Sequence, residues 1–297
     1  MIDDIVRDHE EMIQSALDDG LSEEDLIERF GEPSKLADDL SAFEQIASEV
    51  PVQVEYSTLK TFTPDKAYLI ELKFVSEDVV IEPSPDQNIY IDYKGRGDTD
   101  KYDIRFDEDK LYIKAPDRKG ILSLLFLNRN TLTFRIRLPL EHRVSDFKLS
   151  VINGDTKLSN LSFDKTKFKT INGDGDMTSM TLGETKMNTV NGDLSLVKCK
   201  TTKTQISLIS GDLTIDELDC ETSVEFDSVS GDINLDKVTC EACDISTVSG
   251  DVRGTSVYPK VASFNTISGD VRIKNEEHKP MEIRKKTSLS GSINLSI

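Results

Sequence analysis

The sequence predicts a mainly β protein built on a single-stranded parallel β-solenoid (β-helix) of about seven to eight 19-residue coils. Three observations predict this fold class. A four-residue motif, which consists of an apolar residue, Asn or Ser, Gly and usually Asp, recurs eight times between residues 152 and 292. Its glycines lie 19 to 22 residues apart, and apolar residues recur at fixed places between them. A strand plus a crossover helix takes roughly 30 residues, so a 19-residue unit fits one coil stacked on its copies.

The amino-terminal segment, residues 1–48, is predicted to form a small α-helical domain. Apolar residues recur at helical spacing over residues 2–17, and Asp19-Gly20 ends this first helix. Ser22 opens a second helix in the manner of a capping box, and Ser34 caps a third. A unit of this size buries little core alone, so we expect it to dock on the rest of the chain or on a partner.

The next segment, residues 52–145, is predicted to consist of antiparallel strands that cap the solenoid. Four segments show the alternation of apolar and polar residues that is typical of half-buried strands. They are residues 68–74, 88–93, 110–114 and 131–138. Such strands would cover the end of a solenoid, whose unpaired backbone groups otherwise invite association. The solenoid itself is assigned to residues 146–297.

Each repeat follows one apolar pattern. Counted from the aspartate, apolar residues stand at offsets of about +1, +3, +6, +8, +13 and +16, as in the unit from Ile233 to Val248. The pairs spaced by two predict short strands with one face inward. The glycine is expected to supply the positive φ of a turn. The aspartate is expected to hydrogen-bond backbone amides of its own corner.

The stacked glycine and aspartate columns are the candidate site of the repeats. One interpretation is a structural turn ladder, and the alternative is a calcium ladder like that of glycine-rich nonapeptide β-rolls. Those rolls contain far more glycine and aspartate per turn, and the last copy here has Ser292 instead of Asp, so the structural interpretation is favoured. The ladder residues are Gly154, Asp155, Gly173, Asp174, Gly192, Asp193, Gly211, Asp212, Gly231, Asp232, Gly250, Asp251, Gly269 and Asp270.

Charge and composition limit the partners and the location. The 297-residue chain has a formal net charge of −19, and residues 1–50 carry 16 acidic and 3 basic side chains. Nucleic acid needs a basic binding surface, so it is excluded as a partner. No apolar run approaches the roughly 20 residues that span a bilayer, and the first residues lack the pattern of a secretory signal. As written, the chain is expected in the cytoplasm, with envelope association as the alternative.

Four cysteines raise the question of a metal site. Cys240 and Cys243 have CxxC spacing, but zinc would also need Cys199 and Cys220, which replace apolar residues on earlier coils. The favoured interpretation is buried, inert thiols, with zinc and an occasional disulfide as alternatives. We therefore predict no cofactor and no metal.

Two surface features are candidates for contact with a partner. Residues 121–127 are nearly all apolar and follow a basic pair, which indicates either a loop that touches a partner or membrane surface, or a segment packed on the cap's own core. Its apolar residues are Ile121, Leu122, Leu124, Leu125, Phe126 and Leu127. The second feature is a basic edge on the early coils, which either faces an anionic polymer or is solvated and prevents edge pairing. It comprises Lys157, Lys165, Lys167, Lys169, Lys198, Lys200 and Lys203.

Two segments resemble known families. The sequence of residues 18–25, together with residues 27–33 that include Gly31-Glu32-Pro33, resembles the HAAS signalling domain, also called DUF1700. The coils at residues 151–292 and the Arg137-Leu138-Pro139 strand end resemble the DUF4097 family of adhesin-like proteins. The first resemblance implies a link to PadR-type regulators and to membrane-associated proteins. The second implies a β-solenoid in envelope-associated proteins, some of them linked to envelope stress.

No catalytic motif is present, so no catalytic residue is assigned. His9, His142 and His278 lie in three different regions without a companion motif, and no phosphate loop or Gly-x-Ser-x-Gly occurs. A polysaccharide lyase would need acid, base and Arg groups concentrated on one coil. The leading hypothesis is a non-enzymatic binding or scaffold protein that engages a protein or a cell-wall polymer. The alternative is envelope-stress signalling or regulation through the helical domain.

Overall fold

The computed structural model of the chain describes residues 53–116 and 132–296. These residues form β-strands and one short 3-10 helix at Thr99–Lys101. The strands are β1 (Gln53–Phe62), β2 (Tyr68–Phe74), β3 (Asp78–Pro83), β4 (Ile89–Gly95), β5 (Asp103–Asp107), β6 (Lys110–Lys114), β7 (Leu132–Leu138), β8 (Val144–Val151), β9 (Thr156–Ser159), β10 (Ser162–Thr170), β11 (Gly175–Thr178), β12 (Thr181–Thr189), β13 (Leu194–Leu208), β14 (Leu213–Ser228), β15 (Ile233–Thr247), β16 (Val252–Thr266), β17 (Val271–Lys274), β18 (Glu282–Ser288) and β19 (Ile293–Ser296). The predicted helical domain at residues 1–48 and the predicted loop at residues 121–127 lie outside the described residues.

The strands stack into two parallel ladders, which confirms the predicted parallel β-solenoid. Ladder A contains β6, β2, β8, β10 and β12, then the second halves of β13 to β16, and then β18. Ladder B contains β7, β3, β9 and β11, then the first halves of β13 to β16, and then β17 and β19. Each repeat therefore contributes one segment to each ladder, as a solenoid coil must.

The strands of residues 52–145 divide into two groups, which corrects the prediction that they form an antiparallel cap. Among the described strands, β1, β4 and β5 make antiparallel pairs alone, and they cover the β6–β7 end of both ladders. Strands β2, β3, β6 and β7 pair parallel and extend the solenoid ladders instead. Alternation of apolar and polar residues shows that a strand is half buried, but it does not show the direction of its neighbours.

The order of the first strands in the stack differs from their order in the chain. In ladder A, β2 lies between β6 and β8, and in ladder B, β3 lies between β7 and β9. A segment from early in the chain is therefore inserted between two segments that come later. From β8 onward, the coils follow chain order.

The core is one column of inward side chains that runs through the stack. Its aliphatic residues recur in register, as Leu194, Leu213 and Ile233 do at the start of successive ladder B segments, and each is at most 1% exposed. The rings of Phe147 and Phe163 stack at a centroid distance of 4.3 Å. Burying each such side chain stabilises the fold by roughly 1.5–3 kcal/mol, so the coils support one another along the whole column.

At the β1–β4–β7 end, a buried carboxylate joins three strands. Asp92 is 1% exposed and accepts hydrogen bonds from Thr58 Oγ1 at 2.7 Å and from Arg137 Nε at 2.8 Å. Arg135 Nη2 lies 3.0 Å from Asp92 Oδ2, and the Arg135 guanidinium stacks 4.0 Å from the ring centroid of Tyr56. Burial opposes ionisation of Asp92, but Arg137, Thr58 and Arg135 outweigh it and hold the pKa of this carboxyl below its usual value.

The chain turns at two corners in a coil: the glycine corner, where ladder A passes into ladder B, and a second corner, where ladder B passes into ladder A. Residues with a left-handed backbone conformation lie at the second corner, and they are not glycines. The prediction that the ladder glycines have positive φ is wrong, because Gly95 is the one described glycine with a positive φ. Six left-handed residues that are not glycine stand instead where ladder B turns into ladder A, with φ between 51° and 68°. They are Asn160, Ser179, Lys198, Glu217, Lys237 and Ser256. The positive-φ column is invisible in the sequence because polar residues of several types occupy it.

The left-handed corner offers a stabilising substitution. We expect Glu217→Gly to raise the free energy of unfolding by about 0.5–1 kcal/mol, because a left-handed L-residue costs about 1–2 kcal/mol and the looser unfolded chain offsets part of the gain. Thr214→Gly, at an exposed strand position of the same coil, should lower it by about 0.5–1 kcal/mol. Urea unfolding measures both, and a loss of stability in Glu217→Gly would contradict the strain assigned to this corner.

Candidate binding surfaces on the solenoid

The glycine of each repeat allows close contact between the backbones of successive coils. A Cβ on Gly211 would lie 1.8 Å from the carbonyl oxygen of Gly192. The repeat glycines from Gly173 to Gly291 give distances of 1.7–2.1 Å between such a Cβ and the glycine carbonyl oxygen of the previous coil. No real Cβ can occupy such a position, so the coils stack at this corner only when the side chain is hydrogen. Glycine is thus required in this column because the backbones of successive coils lie very close together, and not because the position has a positive φ.

The aspartate of each repeat links two coils. Asp212 Oδ1 accepts the backbone N–H of Asp232 at 2.8 Å, and Asp193 Oδ1 accepts that of Asp212 at 2.8 Å. The same bond, at 2.8–3.1 Å, joins every pair of consecutive copies from Asp155 to Ser292. The expectation that each Asp binds amides of its own corner is therefore corrected, because the in-register stack brings the next coil's N–H within reach of the carboxylate.

The charge of this aspartate column is partly compensated by arginine. Burial disfavours ionisation of Asp232, but the N–H of Asp251 and the guanidinium of Arg253 outweigh it, so the pKa of Asp232 is lowered. Arg253 bridges Asp232 and Asp251 at 2.9 and 2.7 Å. The N–H and hydroxyl of Ser292 likewise lower the pKa of Asp270. The column therefore serves as a series of hydrogen-bond acceptors, and at Asp232 and Asp270 these contacts favour the ionised carboxylate.

The residue before each glycine forms a second polar ladder, whose chemistry changes along the rod. In the early coils, Asn172 Nδ2 donates to Asn153 Oδ1 at 2.6 Å, and Asn191 Nδ2 donates to Asn172 Oδ1 at 2.8 Å. In the later coils, serine takes this place, and Ser230 Oγ donates to the carbonyl oxygen of Ile209 at 2.9 Å. Both versions bond one coil to the previous one.

Sequence reasoning missed a further copy of the corner at residues 75–78. Asp78 Oδ1 accepts the N–H of Asp155 at 3.0 Å, and the Glu77 carbonyl lies 2.1 Å from a Cβ built on Gly154. Val75-Ser76-Glu77-Asp78 thus repeats the apolar-Ser-Gly-Asp motif with Glu in place of Gly. The buried Glu77 carboxylate accepts the hydroxyl of Tyr102 at 2.6 Å and the backbone N–H of Val75 at 2.7 Å. The Ser-x-Asp spacing after an alternating strand was the available signal.

The apolar residue at offset +16 points outward, although the sequence pattern groups it with the apolar repeats. It directly follows a buried residue such as Leu208, so strand alternation turns it to solvent. Seven members of this column are 38–82% exposed, and Val190 is half-buried. We call this column the corner ridge, and it comprises Ile152, Ile171, Val190, Ile209, Val229, Val248, Ile267 and Leu289.

The predicted basic edge is spread over more than one surface. Lys157 lies on ladder B and Lys198 at the left-handed corner, whereas Lys167 and Lys169 lie on the outward face of ladder A. There Lys167 pairs in register with Lys148 and Lys186. Further along the same face, the exposed Glu225 and Asp244 replace the lysines. This column of ladder A therefore changes from basic at β12 to acidic at β14.

The cysteines lie at inward or corner positions. Cys199, Cys220, Cys240 and Cys243 are all free and buried. Burial raises the pKa of the Cys199 and Cys220 thiols, and the hydrogen bond with Cys240 together with burial raises that of Cys243. Raised pKa values oppose the thiolate form that metals and electrophiles require. Across residues 53–116 and 132–296, no group of three or more His, Cys, Asp or Glu is arranged to hold a metal ion.

Comparisons with known proteins agree with this architecture. A family model described as Toastrack DUF4097 matches residues 69–225 and 209–297, and the HAAS model matches residues 2–39. No curated protein matches the chain. Among the described residues, no helix is long and apolar enough to cross a membrane.

Two solved structures are similar to the solenoid. A "putative adhesin" from Parabacteroides merdae ATCC 43184 has a TM-score of 0.58 at 15% identity, with 82% of this chain and 97% of that chain covered. Another "putative adhesin", from Parabacteroides distasonis ATCC 8503, has a TM-score of 0.50 at 13% identity, with 81% and 97% covered. At such identities the likeness shows a shared fold.

Proposed function

This chain belongs to the Toastrack DUF4097 family, and on that premise we propose that it is a non-enzymatic, adhesin-like binding protein of the cell envelope. Its ligand is a protein or a cell-wall polymer, and the corner ridge is the surface that binds it. The two similar solved structures are both described as adhesins, which supports an adhesin-like role. The ridge is the observation that carries the proposal.

The ridge has the properties of an interaction surface. Single exposed apolar residues are ordinary on proteins, but contiguous apolar stripes with polar borders mark binding sites. Eight aliphatic residues in successive coils form a stripe of about 35 Å at roughly 4.8 Å per coil. The Asn and Ser side chains that follow each ridge residue give it a polar border. A long, stiff and regular stripe suits an extended ligand better than a compact one.

The repeats give no single coil the chemistry of an enzyme. Each copy presents the same Asn or Ser, Gly and Asp, so none concentrates a nucleophile and its base. The described histidines lie in separate turns, His142 between β7 and β8 and His278 between β17 and β18. Binding without catalysis is the role that this regularity supports.

Two charges placed on the ridge should abolish ligand binding without unfolding the rod. The variant Val229→Asp/Val248→Asp changes residues that are 46% and 40% exposed, so its thermal transition should stay close to that of wild type. The full chain is tested on isolated cell-wall sacculi and on glycan and protein arrays, where we expect at least a tenfold loss of binding.

The matched control is Thr214→Asp/Asn234→Asp, which adds the same charge on the outward side of ladder B. It should bind as wild type does. Equal losses in both variants would show that added negative charge, not the ridge, reduces binding, and unchanged binding in both would remove the ridge from the proposal.

A second candidate function is envelope-stress signalling through the amino-terminal segment. The HAAS match at residues 2–39 favours it. In-cell crosslinking from this segment in full-length protein tests it: capture of a regulator or membrane kinase that responds to envelope stress supports signalling, whereas crosslinks to cell-wall material alone contradict it.

A further inference from the structure

One column of residues on ladder A, exposed or half-buried except for the buried Ser263, has an ordered pattern of charge. Its members stand directly beside one another in register, one on each successive strand from β2 to β18. They are Glu71, Lys148, Lys167, Lys186, Gln205, Glu225, Asp244, Ser263 and Lys285. The signs along the column run negative, three positive, neutral, two negative, neutral and positive.

This order is complementary to itself when it is reversed about Gln205. One step from Gln205 lie Lys186 and Glu225, and two steps away lie Lys167 and Asp244. Three steps away, Lys148 faces the neutral Ser263, and four steps away Glu71 would meet Lys285. A two-fold axis that runs along the strand direction through Gln205 brings each residue of one copy to its counterpart in a second copy.

We propose that two copies of this chain associate face to face through ladder A, with their solenoid axes antiparallel and Gln205 on the two-fold axis. Such an isologous interface repeats every contact twice. Lys186 of each copy then pairs with Glu225 of the other, and Lys167 pairs with Asp244. The parallel alternative places lysine opposite lysine and carboxylate opposite carboxylate, so charge selects the antiparallel arrangement.

The charges in question are available for such pairing. Lys167, Lys186, Glu225 and Asp244 are exposed, and none of them has an ion-pair partner within the part of the chain that the structure describes. Some other charged residues of the face are paired within the chain, as Lys148 is with Asp146 at 2.8 Å and Lys165 with Glu184 at 3.8 Å. The two charged residues on each side of Gln205 in this column are therefore free to pair with those of a second copy.

The neighbouring columns are compatible with this arrangement. Toward the glycine corner, Ser207 stands on the axis and meets its own copy, while Asp227 meets Asn188. On the other side, Lys203 would meet Lys203 of the second copy, and Glu184 in the adjacent strand lies close enough in the ladder to offset that charge. The surface near the axis is therefore polar.

A charge-swap experiment on the full chain tests the proposal by sedimentation in about 50 mM salt, where ionic contacts are weakly screened. Wild type should dimerise. Lys167→Glu/Lys186→Glu and Glu225→Lys/Asp244→Lys should each be monomeric, with affinity for self reduced at least 100-fold. An equimolar mixture of the two variants should dimerise again, and so should the chain that carries all four changes.

The control variant Lys157→Glu/Lys198→Glu makes the same charge change away from the ladder A face and should dimerise as wild type does. Raising salt to about 0.5 M should weaken the dimer at least tenfold. A monomeric wild type, or a mixture of the two variants that stays monomeric while both are folded, would overturn the proposal. Variants that dimerise as wild type does would overturn it too, because another surface would then be the interface.

Discussion

Gly211→Ala is expected to lower the free energy of unfolding by about 3–5 kcal/mol. The added Cβ would lie 1.8 Å from the carbonyl oxygen of Gly192. Both atoms belong to backbone, so no side-chain rotation relieves the overlap. The coils must separate at this corner, which breaks the 2.8 Å bonds from Ser210 N to the Val190 carbonyl and from Asp212 N to Asp193 Oδ1.

Urea unfolding of Gly211→Ala measures this cost, with Ser210→Ala as the matched control. Ser210 precedes the glycine, is exposed, and should change stability by no more than about 0.5 kcal/mol. A variant Gly211→Ala that matches wild type would mean that the coils are farther apart at this corner than the stacking distance requires.

Asp92→Asn is expected to lower the free energy of unfolding by about 2–4 kcal/mol at pH 7. The carboxylate is buried between Arg135 and Arg137, and the amide that replaces it leaves both guanidinium groups without a counter-charge in the β4–β7 pair. Asp107→Asn, at an exposed position in β5, is the control and should stay within about 0.5 kcal/mol of wild type.

The effect of Asp92→Asn should also depend on pH in a defined direction. The folded-state pKa of Asp92 is below its usual value, so the carboxylate stabilises the fold fully above the unfolded pKa of about 3.9 and loses this contribution as the pH falls through the folded pKa. The stability difference between wild type and Asp92→Asn should therefore shrink as the pH falls below about 4. A difference that grows on acidification would contradict the assigned ionisation.

The repeat spacing predicts the solenoid and the places of its glycine corners, because a stack must use equal lengths of chain per coil. The direction of strand pairing in residues 52–145 could not be predicted, since half-buried strands look alike in parallel and antiparallel sheets. One copy of the glycine corner, at residues 75–78, was missed because Glu77 replaces the glycine of the motif. The residues at the left-handed corner share no sequence motif, because they are polar residues of several types.

The candidate surfaces were predicted less well than the fold. Ile209 and its equivalents are apolar residues at a regular spacing, which the sequence alone assigns to a core. Only the corner geometry shows that they follow a buried residue and face solvent. The charge symmetry about Gln205 needs the register, because its members stand about 19 residues apart and come together only in the stack.

Strands β2 and β3 lie between strands that come later in the chain, and this order determines when the β6–β7 end of the solenoid can fold during synthesis. Residues 68–83 leave the ribosome first, yet both of their ladder neighbours, at residues 110–138 and 144–159, are translated afterwards. Contacts between segments so distant in sequence form slowly. Residues 68–83 must therefore stay unpaired in the nascent chain until their neighbours have been made. The coils from residue 162 onward follow chain order, so each can add to a coil that has already folded.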